Sequence, residues 1–424
     1  MRLPGTSLLI ALMFVGALAC GCAVSRPTLT REELDQRKAR YLEAVSGYVR
    51  GASEKVVARC VMEWRDYQAG KTSTPPTLDV LVLSGGGDYG AFGAGFLSGW
   101  GDVDGEMARP DFDVVTGVST GALIAPFAFI GDKKSFERVE HLYRDPRSDW
   151  VQFRDIFFFL PGRQSFMSID GLERDIREQV NWECVQAIAA KSRDNGVLAI
   201  GTTNLDMGIL MPFRLSLEAE SAEKSGDIDR VHKILLASSA IPAVFPPVVI
   251  DDTLYVDGGT TSNILFSANM RSPESVIAIL RRDHPDVPIP PMRYWVIINN
   301  QLGAAPRIVQ PTWVSITGAS VETAIRSSTI GSLRLLALEV EYLARVENIN
   351  AQLHFVAIPD EWRPPRPGIF QPETMQALAD LGREMGAKTV SWRDNLEDTP
   401  HEGDPEQGGG HTPGASADLG TGAR

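Results

Sequence analysis

The chain alternates short apolar runs with stretches of helical spacing. Residues 78–84 are almost continuously apolar, as a strand buried on both faces is, and Gly90–Trp100 reads as a helix beginning just after Gly85-Gly86-Gly87. Residues 112–116 repeat the strand signal and Thr120–Ile130 the helix signal. Strand, loop and helix recurring in this order predict an α/β fold: three α/β/α layers around a mainly parallel central sheet. Upstream, Thr30-Arg31-Glu32-Glu33 is a capping box that opens a helix, along which Tyr41, Val45, Tyr48, Ala52 and Val56 recur at helical spacing. Such an amphipathic helix is expected to pack on the main domain, and Pro75-Pro76 closes the segment. No internal repeat interrupts the progression.

The two ends read differently. Arg2 is followed by an apolar run over 8–18 and by Ala19-Cys20-Gly21-Cys22. The run is short for a membrane span and reads as a secretory leader. A small residue directly before a cysteine resembles a bacterial lipoprotein signal, in which that cysteine is lipidated; Cys20 and Cys22 fit equally well. Neither Gly21 nor Ala23 is the aspartate that favours inner-membrane retention, so the resemblance implies a cell-envelope protein anchored at the outer membrane and facing the periplasm. From about Thr399 the chain has almost no large apolar residues and is expected to be disordered. The expected organisation is therefore a leader over 1–22, a linker and N-terminal helix over 23–77, a main α/β domain over 78–398 and a tail over 399–424.

Composition narrows the function classes. With 54 acidic and 41 basic residues the formal charge is −13, and no Lys/Arg-rich run offers a footprint for nucleic acid. The spacing of cysteine and histidine shows no metal-binding motif, so neither metal nor cofactor is expected. Cys60 and Cys184 are read as two buried thiols, with a disulfide between them left open.

Gly85-Gly86-Gly87-Asp88-Tyr89-Gly90 sits between strand and helix, where exposed N–H groups hold either a phosphate or an oxyanion. It satisfies G-x-G-x-x-G, but a dinucleotide site also needs an acid at the far end of the second strand. Asp111 and Asp113 stand at the near end. The far end instead carries Gly117-Val118-Ser119-Thr120-Gly121, a G-x-S-x-G elbow that lifts a serine hydroxyl above a sheet edge.

These residues resemble the patatin-like phospholipases. The glycine loop, the elbow, Ala237-Ser238-Ser239-Ala240-Ile241-Pro242 and Asp257-Gly258-Gly259 follow the order of that family's four motifs. The resemblance implies a serine acyl-ester hydrolase on lipid substrates of phospholipid or lysophospholipid type. Ser119 is then the nucleophile, Asp257 the general base, and the amides of Gly85, Gly86 and Gly87 the oxyanion hole. Tyr89 stands where the family usually has Arg or Lys, which implies a less firmly ordered loop and a weaker case for an anionic head group. An aspartate base implies activity persisting to lower pH than a histidine base allows. The alternative from another class is a lipid-anchored binding or assembly module on a hydrolase scaffold. Residues 156–160, Ile-Phe-Phe-Phe-Leu, read as core or as an acyl-chain wall.

Overall fold

The computed structural model describes residues 28–147, 149–153, 165, 167–266, 272–304 and 306–396; the leader with Cys20 and Cys22, the aromatic run 156–160 and the tail from 399 lie outside these residues. In chain order the first half forms α1 (Arg31–Gln68), β1 (Leu78–Leu83), α2 (Gly90–Trp100), β2 (Val114–Val118), α3 (Thr120–Ile130), α4 (Lys133–Arg144), β3 (Gln152–Phe153), β4 (Met167–Ser168), α5 (Asp170–Gln179) and α6 (Trp182–Arg193). There follow β5 (Val197–Asn204), β6 (Ile209–Phe213), α7 (Leu215–Ser225), α8 (Asp229–Ser238), β7 (Val248–Ile250), β8 (Thr253–Asp257), α9 (Val276–Asp283), β9 (Met292–Gln301), α10 (Trp313–Arg345), β10 (Ala351–Ile358) and α11 (Pro372–Gly386).

The main sheet runs β10-β9-β1-β2-β5-β8-β7 and is parallel from β10 through β5. β6, β8 and β7 are antiparallel additions. Alternation along the strands feeds two cores. Leu81, Leu83, Trp295 and Ile297 point into one with α2, α3 and α11, while Val80, Val82, Tyr294 and Val296 point into the other with α1, α9 and α10. Helices thus cover both faces, as a parallel sheet requires.

The capping box at Thr30 forms: its N–H donates to Glu33 at 2.7 Å, and the Glu33 N–H donates back to Oγ1 at 3.3 Å. Further along α1, Val56, Val57, Cys60 and Val61 are buried in the second core, so the helix packs on the domain. Cys60 and Cys184 are buried free thiols, which closes the disulfide option. Strand β2 starts two residues later than expected because Asp113 is used as a polar tie at the sheet's lower edge, its carboxylate accepting the Asp79 N–H at 2.7 Å.

One irregularity decides the layout of the site. β2 pairs with β5 only as far as Val118 opposite Gly201. From the next residue β8 takes over, with Asp257 opposite Thr202, while β6 pairs residues 200–204 along the other edge of β5. The residue after Val118 is Ser119, so the end of β8 delivers Asp257 to the point where β2 turns into α3.

Candidate active site

Ser119 connects β2 to α3 with φ 53° and ψ −124°, a left-handed conformation that a non-glycine residue holds only under constraint from its surroundings. The constraint is visible. Its N–H donates to Ser238 Oγ at 2.9 Å, and that hydroxyl donates to the Gly201 carbonyl at 2.6 Å, tying the elbow to β5. The turn also brings α3 against β1: a Cβ at Gly121 would stand 2.4 Å from the Leu83 carbonyl oxygen, inside any tolerable contact.

Asp257 is 2 % exposed, and its Oδ1 accepts the Gly259 N–H at 2.7 Å. Its own N–H donates to the Ala240 carbonyl at 2.9 Å. Burial pushes the carboxyl up from 3.8 to about 7, opposed by hydrogen bonds from the Ser119 side chain and the Gly259 N–H. Among the described residues no cation acts on it. The segment holding Ser238, Ala240 and Ile241 therefore pins the elbow and the aspartate together.

The glycine loop follows β1 and enters α2 through a short turn at Gly87–Tyr89. Gly86 passes so close to β9 that a Cβ there would lie 1.9 Å from the Asn299 carbonyl oxygen. Asn299 Nδ2 donates to the Ser84 carbonyl at 2.8 Å, and its Oδ1 accepts the Gly93 N–H at 3.0 Å, so one side chain holds both ends of the loop. The Gly85 N–H donates to the Asn263 carbonyl at 3.3 Å, whose Nδ2 donates back to the Gly85 carbonyl at 3.2 Å. This corrects the expectation for Gly85: its amide is committed to Asn263, and the loop residues that line the cavity beside Ser119 are Gly86 and Gly87. Asn263 and Asn299 belong to no motif noted in the sequence, and no local signal marks them.

The cavity is about 840 Å³ and reaches Ser119 and Asp257 between walls from Ile241 to Phe245, from 307 to 325, and at Ile369 and Phe370. Most of its lining is apolar, which suits an acyl chain better than a sugar or nucleotide. Asp88, also on the wall, has its carboxyl pushed up by burial to about 6 while it accepts the Phe370 N–H at 2.8 Å. Tyr89, the departure from the family's usual Arg or Lys, packs edge-to-face with Trp362, the ring centroids 5.7 Å apart. Aromatic packing and the Asp88 contact thus order the loop in place of a charge.

Residues 81–269 match the family model for patatin-like phospholipases. The chain carries a patatin-like phospholipase domain. Lipid acyl hydrolysis is the activity that family implies. Among solved structures the chain is similar to VipD from Legionella pneumophila, with 12 % identity and a TM-score of 0.34; the match covers 74 % of this chain and 66 % of that one. Comparison with curated proteins finds no match.

No described histidine lines the cavity. His354 lies in β10, bonds Asp394 at 2.6 Å and stacks on Trp295; His232 meets the Val180 carbonyl at 2.7 Å; His284 caps α9. The described residues contain no group of three or more His, Cys, Asp or Glu side chains placed to hold a metal ion, and no helix long and apolar enough to cross a membrane.

Proposed function

We propose that the chain is a serine acyl-ester hydrolase acting on phospholipid or lysophospholipid-type esters through a Ser119–Asp257 dyad. The observation that carries this reading is a serine held at φ 53° on the floor of an apolar cavity, next to a buried carboxylate that no cation among the described residues neutralises. In the reaction Asp257 accepts the Ser119 proton as Oγ attacks the ester carbonyl carbon. The carbonyl oxygen becomes an oxyanion, and the N–H groups of Gly86 and Gly87 stabilise it. Asp257 then gives the proton to the departing alcohol. Water, deprotonated by the same carboxylate, attacks the acyl-enzyme and releases the fatty acid and free Ser119.

A binding module would have no use for the strain at Ser119, which costs about 1–3 kcal/mol. The sequence of 1–22 supports lipidation at Cys20 or Cys22, which would hold the enzyme in the bacterial envelope, at the outer membrane and facing the periplasm. The test is Ser119→Ala, assayed on a short-chain nitrophenyl ester and on lysophospholipid micelles. Loss of both activities with an unchanged melting curve is expected; retained hydrolysis by the purified variant overturns the assignment.

A further inference from the structure

A second cavity, of about 210 Å³, lies on the other face of the sheet, beneath α1. Val49, Ala52 and Val56 of α1 roof it, and Val80, Val114 and Ala199 form part of its floor. Arg214, at the junction of β6 and α7, is the one lysine or arginine among the described residues of its wall. We infer that this cavity binds a single-chain amphiphile with a carboxylate head, a medium-chain fatty acid, and that Arg214 takes the head.

Arg214 is 9 % exposed, and its Nε and Nη1 atoms are buried without a hydrogen-bond partner. A Cβ at Gly51 would stand 2.5 Å from Nη1, so the guanidinium is wedged against α1. Of the acids that act on it, Glu54 is exposed on α1, and Glu218 and Glu220 are already matched. Glu218 accepts Arg230 Nε at 2.9 Å, and Glu220 accepts Lys55 Nζ at 2.7 Å. Burial lowers the pKa of Arg214, the direction expected of a cation short of an anion. Removing a cation from water without a counterion costs several kcal/mol, and an anion arriving in the cavity would offset that cost. A guanidinium can give two parallel N–H bonds to one carboxylate. The remaining lining is mostly aliphatic, as the tail of such a ligand needs, and one cation suits a singly charged head better than a phosphate.

The test is isothermal titration of decanoate into the delipidated full chain, its Arg214→Met variant and its Ala52→Phe variant, which fills the cavity while keeping the cation. Decyl phosphate and decyltrimethylammonium serve as comparison ligands. Each variant is expected to lose one equivalent of decanoate binding or to weaken that site about tenfold or more. The cationic amphiphile should not compete there. Decanoate should raise the melting temperature of the parent and leave that of Arg214→Met unmoved. Unchanged stoichiometry and affinity in Arg214→Met, or in Ala52→Phe should the first variant not fold, overturns the site; tighter binding of decyl phosphate overturns the carboxylate head. These readouts measure binding alone and do not depend on whether Ser119 hydrolyses an ester.

Discussion

Asp113 and Asp257 stand at opposite ends of β2, one just before its first residue and the other beside its last. Both are buried, and burial pushes both carboxyls up to about 7. Their partners differ. Asp113 is in contact with the Arg59 guanidinium and accepts the Asp79 N–H, and Asp79 in turn binds Arg293 at 2.6 Å and the Trp295 indole at 2.7 Å. That network ties α1 to the lower edge of the sheet. Asp257 has a serine, a backbone N–H and a cavity, with no cation among its partners. A shifted carboxyl is therefore no mark of chemistry by itself; a carboxyl facing a nucleophile and space for a substrate is.

The largest expected contrast is between the two amides. Asp257→Asn should lower turnover on the order of a hundredfold or more, as loss of a general base does. Asp113→Asn should leave turnover within about twofold while destabilising the fold by about 1–3 kcal/mol, since Arg59 keeps Glu63 but loses a buried partner. Turnover and chemical denaturation of the two variants measure both halves.

For Asp257, stability and turnover should respond to pH in opposite directions. Because the folded-state pKa of Asp257 lies above its ordinary 3.8, the native state holds an extra proton between roughly pH 4 and 7. Stability linked to this group is full below pH 4 and is lost as pH rises through 7. Asp257→Asn should therefore be more stable than the parent at pH 8, by about 1–3 kcal/mol, and no more stable at pH 4. Turnover moves the opposite way. The base must be ionised, so kcat/KM should rise with pH up to about 7, and an acid-tolerant profile would contradict this burial. An aspartate base buried this deeply works in a higher window than its ordinary value gives, so the measured profile decides between that value and the desolvated one.

A smaller effect is expected at Ser238. Its replacement by Ala leaves the Ser119 N–H and the Gly201 carbonyl without their shared partner. Stability should fall by about 1–2 kcal/mol and kcat by about tenfold, with KM little changed because Ser238 does not line the cavity. A change confined to stability would make Ser238 a fold residue only.

The contrast between the aspartates also shows how far the residues alone could carry the reading. The glycine loop and the G-x-S-x-G elbow were legible because each is a local arrangement whose spacing serves its geometry. The place of Asp113 at the lower edge was legible for the same reason. The meeting of Asp257 with Ser119 depends on β8 replacing β2 beside β5, a long-range pairing that leaves no local pattern. The role of Ser238, the grip of Asn263 on Gly85 and that of Asn299 on Ser84 are hidden likewise, since each joins segments far apart in the chain. Burial was invisible as well, so the residues alone gave no sign of the upward shift at Asp257.

The most direct measurement is covalent labelling of the full chain with an alkyl fluorophosphonate, the adduct located by peptide mass spectrometry and its rate followed against pH. A single adduct on Ser119 is expected, with a rate that rises up to about pH 7 and falls on the order of a hundredfold in Asp257→Asn but not in Asp113→Asn. A folded protein that takes no label at Ser119, or labels equally fast without the Asp257 carboxylate, would contradict the dyad.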